Sequence, residues 1–184
     1  IPDYVGSDGN PVVNSAEVRN RGWDFSLGWR ESVGKFKYNV NGILSTVANR
    51  VQNLSQGREE IFDGGTAQGD FATRTVVGQE IGSFYGYQVA GVFQNAEELS
   101  SLPKLGGEQV GDFRYADLNG RDASGNLTGL PDGQVNADDR TFLGSSIPKL
   151  NYGLSLGLEA FGFDFAADVF GVQGNKVLNA KALA

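Results

Sequence analysis

Gly22-Trp-Asp-Phe-Ser-Leu-Gly-Trp-Arg30 decides how this chain is read. Successive side chains of an extended backbone point to opposite sides. Trp23, Phe25, Leu27 and Trp29 therefore share one face, and Asp24, Ser26, Gly28 and Arg30 share the other. One face is apolar and aromatic; the other is small and polar. A barrel strand in a membrane and a half-buried strand of a soluble sandwich both show this alternation. Lengths and connections have to separate them.

Three later stretches repeat the pattern. From about Phe36 to Val47, the residues Phe36, Tyr38, Val40, Gly42 and Leu44 oppose Lys37, Asn39, Asn41 and Ser45, with Ile43 as an exception. From about Lys149 to Leu158, alternate residues from Leu150 to Leu158 are Leu or Tyr, against Asn151, Gly153, Ser155 and Gly157. From about Phe163 to Phe170, Phe163, Phe165, Ala167 and Val169 oppose Asp164, Ala166 and Asp168. Ser32-Val-Gly-Lys35 and Glu159-Ala-Phe-Gly162 read as short turns. The strands then pair as two antiparallel hairpins, 22–47 and 149–170.

The flanks are less regular. Residues 1–21 read as irregular surface chain, with turn formers clustered from Gly6 to Pro11. Alternation begins at Glu17, but Glu17, Arg19 and Arg21 occupy the face that Trp23 then takes. A polar-to-Trp switch on one face is what a membrane boundary produces. Residues 171–184 read as the start of the next extracellular segment.

Between the hairpins, residues 48–148 far exceed the usual dozen or so of a connection. Val47 to Leu54 reads as a strand extension or a helical turn. Residues 57–73 are rich in Gly and charge, Thr75 to Tyr87 in β-formers, and Ala96 to Leu102 suits a short helix. Asp112 to Arg140 is a polar Asp/Asn/Gly tract. Short turn, very long connection, short turn is the layout of an outer-membrane barrel, with strands of about 9–11 residues. The register follows from energy. The opposite facing would put Lys37, Asp24, Asp164 and Asp168 in lipid, where a mid-bilayer Lys costs about 2–4 kcal/mol. The fold class expected is all-β: about four strands of a transmembrane antiparallel barrel with a long extracellular loop region. Four strands cannot close a barrel, since about eight is the minimum.

Composition narrows the function. The chain has 184 residues and a formal net charge of -7, without a basic run, which argues against nucleic acid. It has no Cys, so no thiol or disulfide chemistry, and no His, the commonest general base and transition-metal ligand. It also has no Met, and reads as a mature or excised piece of something longer.

Specific residues then point to a family. Thr75-Val-Val-Gly-Gln-Glu-Ile-Gly-Ser-Phe-Tyr-Gly-Tyr-Gln-Val-Ala-Gly-Val-Phe-Gln94 resembles a stretch of the SusC/RagA family, the TonB-dependent outer-membrane transporters of Bacteroidetes. Gly111-Asp-Phe-Arg-Tyr-Ala-Asp-Leu-Asn-Gly120 and Asp132-Gly-Gln-Val-Asn-Ala-Asp-Asp-Arg-Thr-Phe-Leu-Gly144 resemble its acidic signature and the continuation. Asn20-Arg-Gly-Trp23 and Pro148-Lys-Leu-Asn-Tyr-Gly153 resemble its strand starts. The resemblance implies a C-terminal piece of a barrel of about 22 strands, placed in the cell outer membrane, with the plug, TonB box and signal peptide upstream. It implies nutrient uptake of glycans or peptides, energy from TonB and a SusD-like surface lipoprotein as partner. Outer-membrane lipid would surround the strands.

The acidic tract resembles a split EF-hand-type loop. Calcium takes six to eight oxygens from carboxylates, amides and a backbone carbonyl. Asp117 and Asn119 match the first two ligand positions, Asp132-Gly133 the third with its turn glycine, Gln134 the carbonyl and Asp139 the terminal carboxylate. Residues Arg121 to Pro131 interrupt the family pattern. Either the insertion bulges outward and leaves a calcium site, or the tract is an Asx-rich turn without an ion.

Other features read as structural. Gly78, Gly82, Gly86 and Gly91 fit no phosphate-loop spacing. Phe84, Tyr85 and Tyr87 suit a sugar-stacking platform or loop packing, with packing preferred. Glu59/Glu60, Glu97/Glu98 and Asp138/Asp139 are adjacent acids that point apart rather than flank a cleft, so no enzyme is expected. The competing class is a soluble calcium-stabilised β-sandwich binding module.

Overall fold

The structure, a computed structural model, describes residues 16–55, 57–65 and 71–179. The turn cluster Gly6 to Pro11 and the last five residues lie outside the described residues. No helix among the described residues is long and apolar enough to cross a membrane.

Among the described residues, chain order gives twelve strands, one short α-helix and a 3-10 turn at Ala137–Asp139. They are β1 (Ala16–Arg21), β2 (Asp24–Val33), β3 (Phe36–Thr46), β4 (Ala48–Leu54), β5 (Glu60–Gly65), β6 (Phe71–Val76), β7 (Ser83–Tyr87), β8 (Val89–Val92), α1 (Ala96–Ser101), β9 (Phe113–Tyr115), β10 (Arg140–Gly144), β11 (Leu150–Ala160) and β12 (Phe163–Gln173). The fold is all-β and antiparallel. It falls into two units. One holds the described residues up to 62 with 75–82 and 145–178; the other holds the described residues of 63–74 with 83–144 and Asn179.

The first unit is built on a four-stranded sheet in the order β12-β11-β3-β2. The two hairpins therefore lie side by side. β3 and β11 pair in unbroken register from Phe36↔Ala160 to Thr46↔Leu150. The long connection thus leaves one strand and returns to its immediate neighbour. The turns explain the hairpins. Gly34 has φ 61 at the first central position of its turn. In the other turn Phe161 (φ 56) and Gly162 (φ 83) are both left-handed, as a type I′ hairpin demands. The ring of Phe161 meets Phe36 edge-on at 5.1 Å, so the two turns touch.

The hairpin arms continue beyond the sheet. β1 pairs with β4, from Arg21↔Ala48 to Ala16↔Leu54. The sequence reads as irregular over residues 1–21; the pairing of Ala16–Arg21 corrects that expectation. The pattern there is polar, so it carries little strand signal, but the partner strand Ala48–Leu54 supplies the hydrogen bonds. Gly22 sits at the break, where an added Cβ would strike the Thr46 carbonyl oxygen. Trp23 O accepts from Thr46 N at 2.8 Å.

Burial decides the environment of the sheet. The buried apolar residues among those described are Val51, Leu54, Phe93 and Val135, and none lies in β2, β3, β11 or β12. Leu27 is 78% exposed, Trp29 60% and Phe165 61%. On β11 the order is inverted relative to a soluble strand: Leu154, Leu156 and Leu158 are exposed, while Gly153, Ser155 and Gly157 are half-buried. Each large apolar side chain forfeits about 1.5–3 kcal/mol if left in water. A handful equals the whole stability of a small domain, about 5–15 kcal/mol. The sandwich alternative needs a second layer over this face, and the described residues provide none. The apolar face of the sheet lies uncovered among the described residues.

The second unit carries the loop elements. β7 is central in the sheet β10-β7-β6-β5, and β8 pairs with β9. Asn95 caps α1 by accepting from Glu98 N.

Candidate functional site

Two regions carry the sequence-derived candidates: the polar face of the four-stranded sheet and the loop 117–140.

The polar face is built in rows across the strands. From one end they are Asp24-Ser45-Asn151-Val172, Ser26-Ile43-Gly153-Phe170, Gly28-Asn41-Ser155-Asp168, Arg30-Asn39-Gly157-Ala166 and Ser32-Lys37-Glu159-Asp164. Glycines lie beside long neighbours for a steric reason. A Cβ at Gly28 would fall 2.8 Å from Asn41 Oδ1, and one at Gly157 would strike the Asn39 amide. The asparagines therefore lie across the adjacent strand. Lys37 Nζ donates to Glu159 Oε2 at 2.7 Å, with both side chains more than half exposed. Arg30, Ser32, Asn39 and this pair border a hollow of about 270 Å³. Ile43 and Phe170 interrupt the polarity in one row and Val172 in another, and all three are exposed.

The acidic loop gathers four of its five sequence-derived candidates through backbone hydrogen bonds. Asp117 Oδ1 accepts from Asp132 N at 3.1 Å and Oδ2 from Gly133 N at 2.7 Å. Asn119 Oδ1 accepts from Gly129 N at 2.6 Å. Asp132 Oδ1 accepts from Gln134 N at 3.0 Å. Asp139 is fully buried. Its Oδ1 accepts from Leu118 N (2.7 Å) and Asn119 N (2.9 Å), and its Oδ2 from Asn136 N (2.7 Å). Gln134 contributes its backbone N–H here. As arranged, these side chains serve N–H donors rather than a common cation, and no three acidic groups among the described residues are placed to hold a metal.

The insertion bulges outward as a small turn of its own. Arg121 and Leu127 form a bridge, Asp122 N donates to Asn126 O at 3.0 Å, and Thr128 N to Gly120 O at 3.0 Å. Asp122 Oδ1 accepts from Ser124 N and Asn126 N. Those bonds, that from Asn126 N first, hold its carboxyl below the usual aspartate range. Arg121 forks onto Asp138 with Nε–Oδ2 2.6 Å and Nη2–Oδ1 2.5 Å, which lowers the Asp138 pKa. Sequence reading missed this role for Arg121; its one signal was a lone cation opening an insertion in an acidic tract.

The remaining candidates sit in structural roles. Gly78 (φ 89) and Gly82 (φ 61) are turn residues. Tyr85 packs on Phe142 at 5.3 Å under Arg74, and Tyr87 on Tyr115 at 5.4 Å with Arg140 at 5.2 Å. Glu98, in the first turn of α1, accepts from Gln94 N just before the helix at 3.0 Å.

Comparison with known proteins gives the context. No protein-family model matches the chain. TonB-dependent receptor P26 of Formosa agariphila is 28% identical over 183 residues, 98% of this chain and 17% of that protein. TonB-dependent receptor P3 of the same organism is 27% identical over 185 residues, with 97% and 17% covered. The RagAB peptide transporter superposes with TM-score 0.64 at 22% identity, over 95% of this chain and 17% of that one. The chain is SusC/RagA-like. The RagAB peptide importer in its closed-closed state superposes with TM-score 0.62 at 21% identity, over 88% of this chain and 16% of that one. This SusC/RagA-like chain spans about a sixth of the length of the curated relatives it matches. The relatives are TonB-dependent receptors, and the chain matches one part of each.

Proposed function

We propose that β2, β3, β11 and β12 are neighbouring wall strands of a transporter that takes up glycans or peptides across the outer membrane. Residues 48–148 then form part of its extracellular cap, as do the flanks before β2 and after β12. A SusD-like lipoprotein closes over that cap, and TonB acts through sequence outside this chain. Transport, not catalysis, is the activity assigned.

One observation carries the reading: an apolar face left open beside a polar face built of Asn, Ser, Gly and charged rows. A spanning sheet must satisfy its backbone by closing, so β2 and β12 pair with further strands in the whole protein. The RagAB neighbours are a peptide importer and transporter, which favours peptides over glycans as cargo.

Uptake by cells with and without the intact protein tests this. Labelled oligopeptides and oligosaccharides are supplied separately. Loss of uptake of one class on deletion supports transport and names the cargo; unchanged uptake of both contradicts it. Co-purification of a surface lipoprotein with the intact protein tests the partner.

A further inference from the structure

We propose that the loop from Asp117 to Arg140 closes without a metal ion, through a clasp of carboxylate-to-backbone hydrogen bonds locked by Arg121. The inference does not depend on what the transporter carries.

A calcium ion in such a loop does one mechanical job: it ties the first half of the loop to the second. Here hydrogen bonds do that job from both ends. Asp117, in the first half, takes the N–H groups of Asp132 and Gly133 in the second. Asp139, in the second, takes those of Leu118 and Asn119 in the first, and of Asn136 beside it. Asp139 is wholly buried, and three N–H donors satisfy a carboxylate that would otherwise be costly there. Calcium needs six to eight oxygens turned to one point. Both oxygens of Asp117 and of Asp139, with Asn119 Oδ1 and Asp132 Oδ1, accept from backbone donors instead.

The insertion supplies the positive charge. Its fold brings Arg121 back over the loop, where two nitrogens fork onto Asp138 and Nη1 donates to Gly125 O at 2.7 Å. A planar guanidinium suits such a two-point bond to a carboxylate. The same residues that interrupt the EF-hand-type spacing thus bring the cation that offsets its acids.

Hydrogen exchange on the intact protein in detergent tests this, in chelator and in millimolar calcium. The expected result is equal protection of the amides of Leu118, Asn119 and Asn136 in both buffers, within about twofold. Asp139→Asn is expected to lower that protection about tenfold, equally in both. Arg121→Ala is expected to expose Asn126 and Thr128 without creating a calcium response. A wild-type loop that loses about tenfold protection in chelator and regains it with calcium would overturn the proposal. That result would make Asp117, Asn119, Asp132, Gln134 and Asp139 calcium ligands after all. The wild-type comparison decides even if a variant fails to fold.

Discussion

Lys37 Nζ lies 2.7 Å from Glu159 Oε2, and so ties the strand that enters the long connection to the strand that leaves it. The two residues are 122 positions apart. Both side chains are more than half exposed, on the face assigned to a watery bore.

That exposure sets the size of their coupling. A double-mutant cycle with Lys37→Ala and Glu159→Ala is expected to give about 0.2–1 kcal/mol, shrinking as salt rises. Denaturant titration of the folded protein reads it. A coupling of several kcal/mol, insensitive to salt, would place the pair in a dry interior instead.

Facing makes a sharper prediction. Leu154 and Ser155 are neighbours on β11 with opposite facing. Leu154→Lys is expected to destabilise the protein in bilayers by about 2–4 kcal/mol, and Ser155→Lys by about 1 or less. Urea titration in lipid vesicles measures both. Equal costs would contradict the assignment.

Glycine on the polar face is expected to be a steric requirement. Gly157→Ala puts a methyl into the Asn39 amide, which costs about 1–3 kcal/mol. Adding Asn39→Ala vacates that space and should recover most of the loss. The thermal midpoint in detergent follows it, and no recovery would show that backbone freedom, not space, selects glycine there.

The Asp122 turn should respond to acid. Its folded pKa lies below the ordinary aspartate value of about 3.9. Its stabilising contribution is therefore complete above that value and is lost as pH falls through the lower folded one. Amide exchange at Ser124 and Asn126 should accelerate only below about pH 4, beyond the intrinsic pH trend. Asp122→Asn should remove that acid step.

How much was legible in the sequence depended on the length of the pattern. The sheet strands could be read because most of their ten or eleven residues alternate, and a one-residue slip would reverse every facing. β3 beside β11 followed from neither strand alone; that adjacency is a matter of closure across a hundred residues or so. The pairing of β1 with β4 was hidden because Glu17, Arg19 and Arg21 carry no apolar signal. Strands of three to six residues, such as β7 and β9, are too short for periodicity to speak. Asp139 reads from sequence as the terminal carboxylate of a calcium loop or as one acid of an Asx-rich turn. Only the convergence of Leu118, Asn119 and Asn136 N–H groups shows it to be the buried anchor of the loop.

The central claim is which side of the sheet meets lipid. Spin labels placed singly at Leu27, Leu154, Ser26 and Ser155 in the reconstituted intact protein report it through collisions with oxygen and with a water-soluble nickel chelate. Labels at 27 and 154 should favour oxygen, and those at 26 and 155 the chelate. Chelate access at 27 and 154 equal to that at 26 and 155 would contradict the membrane assignment.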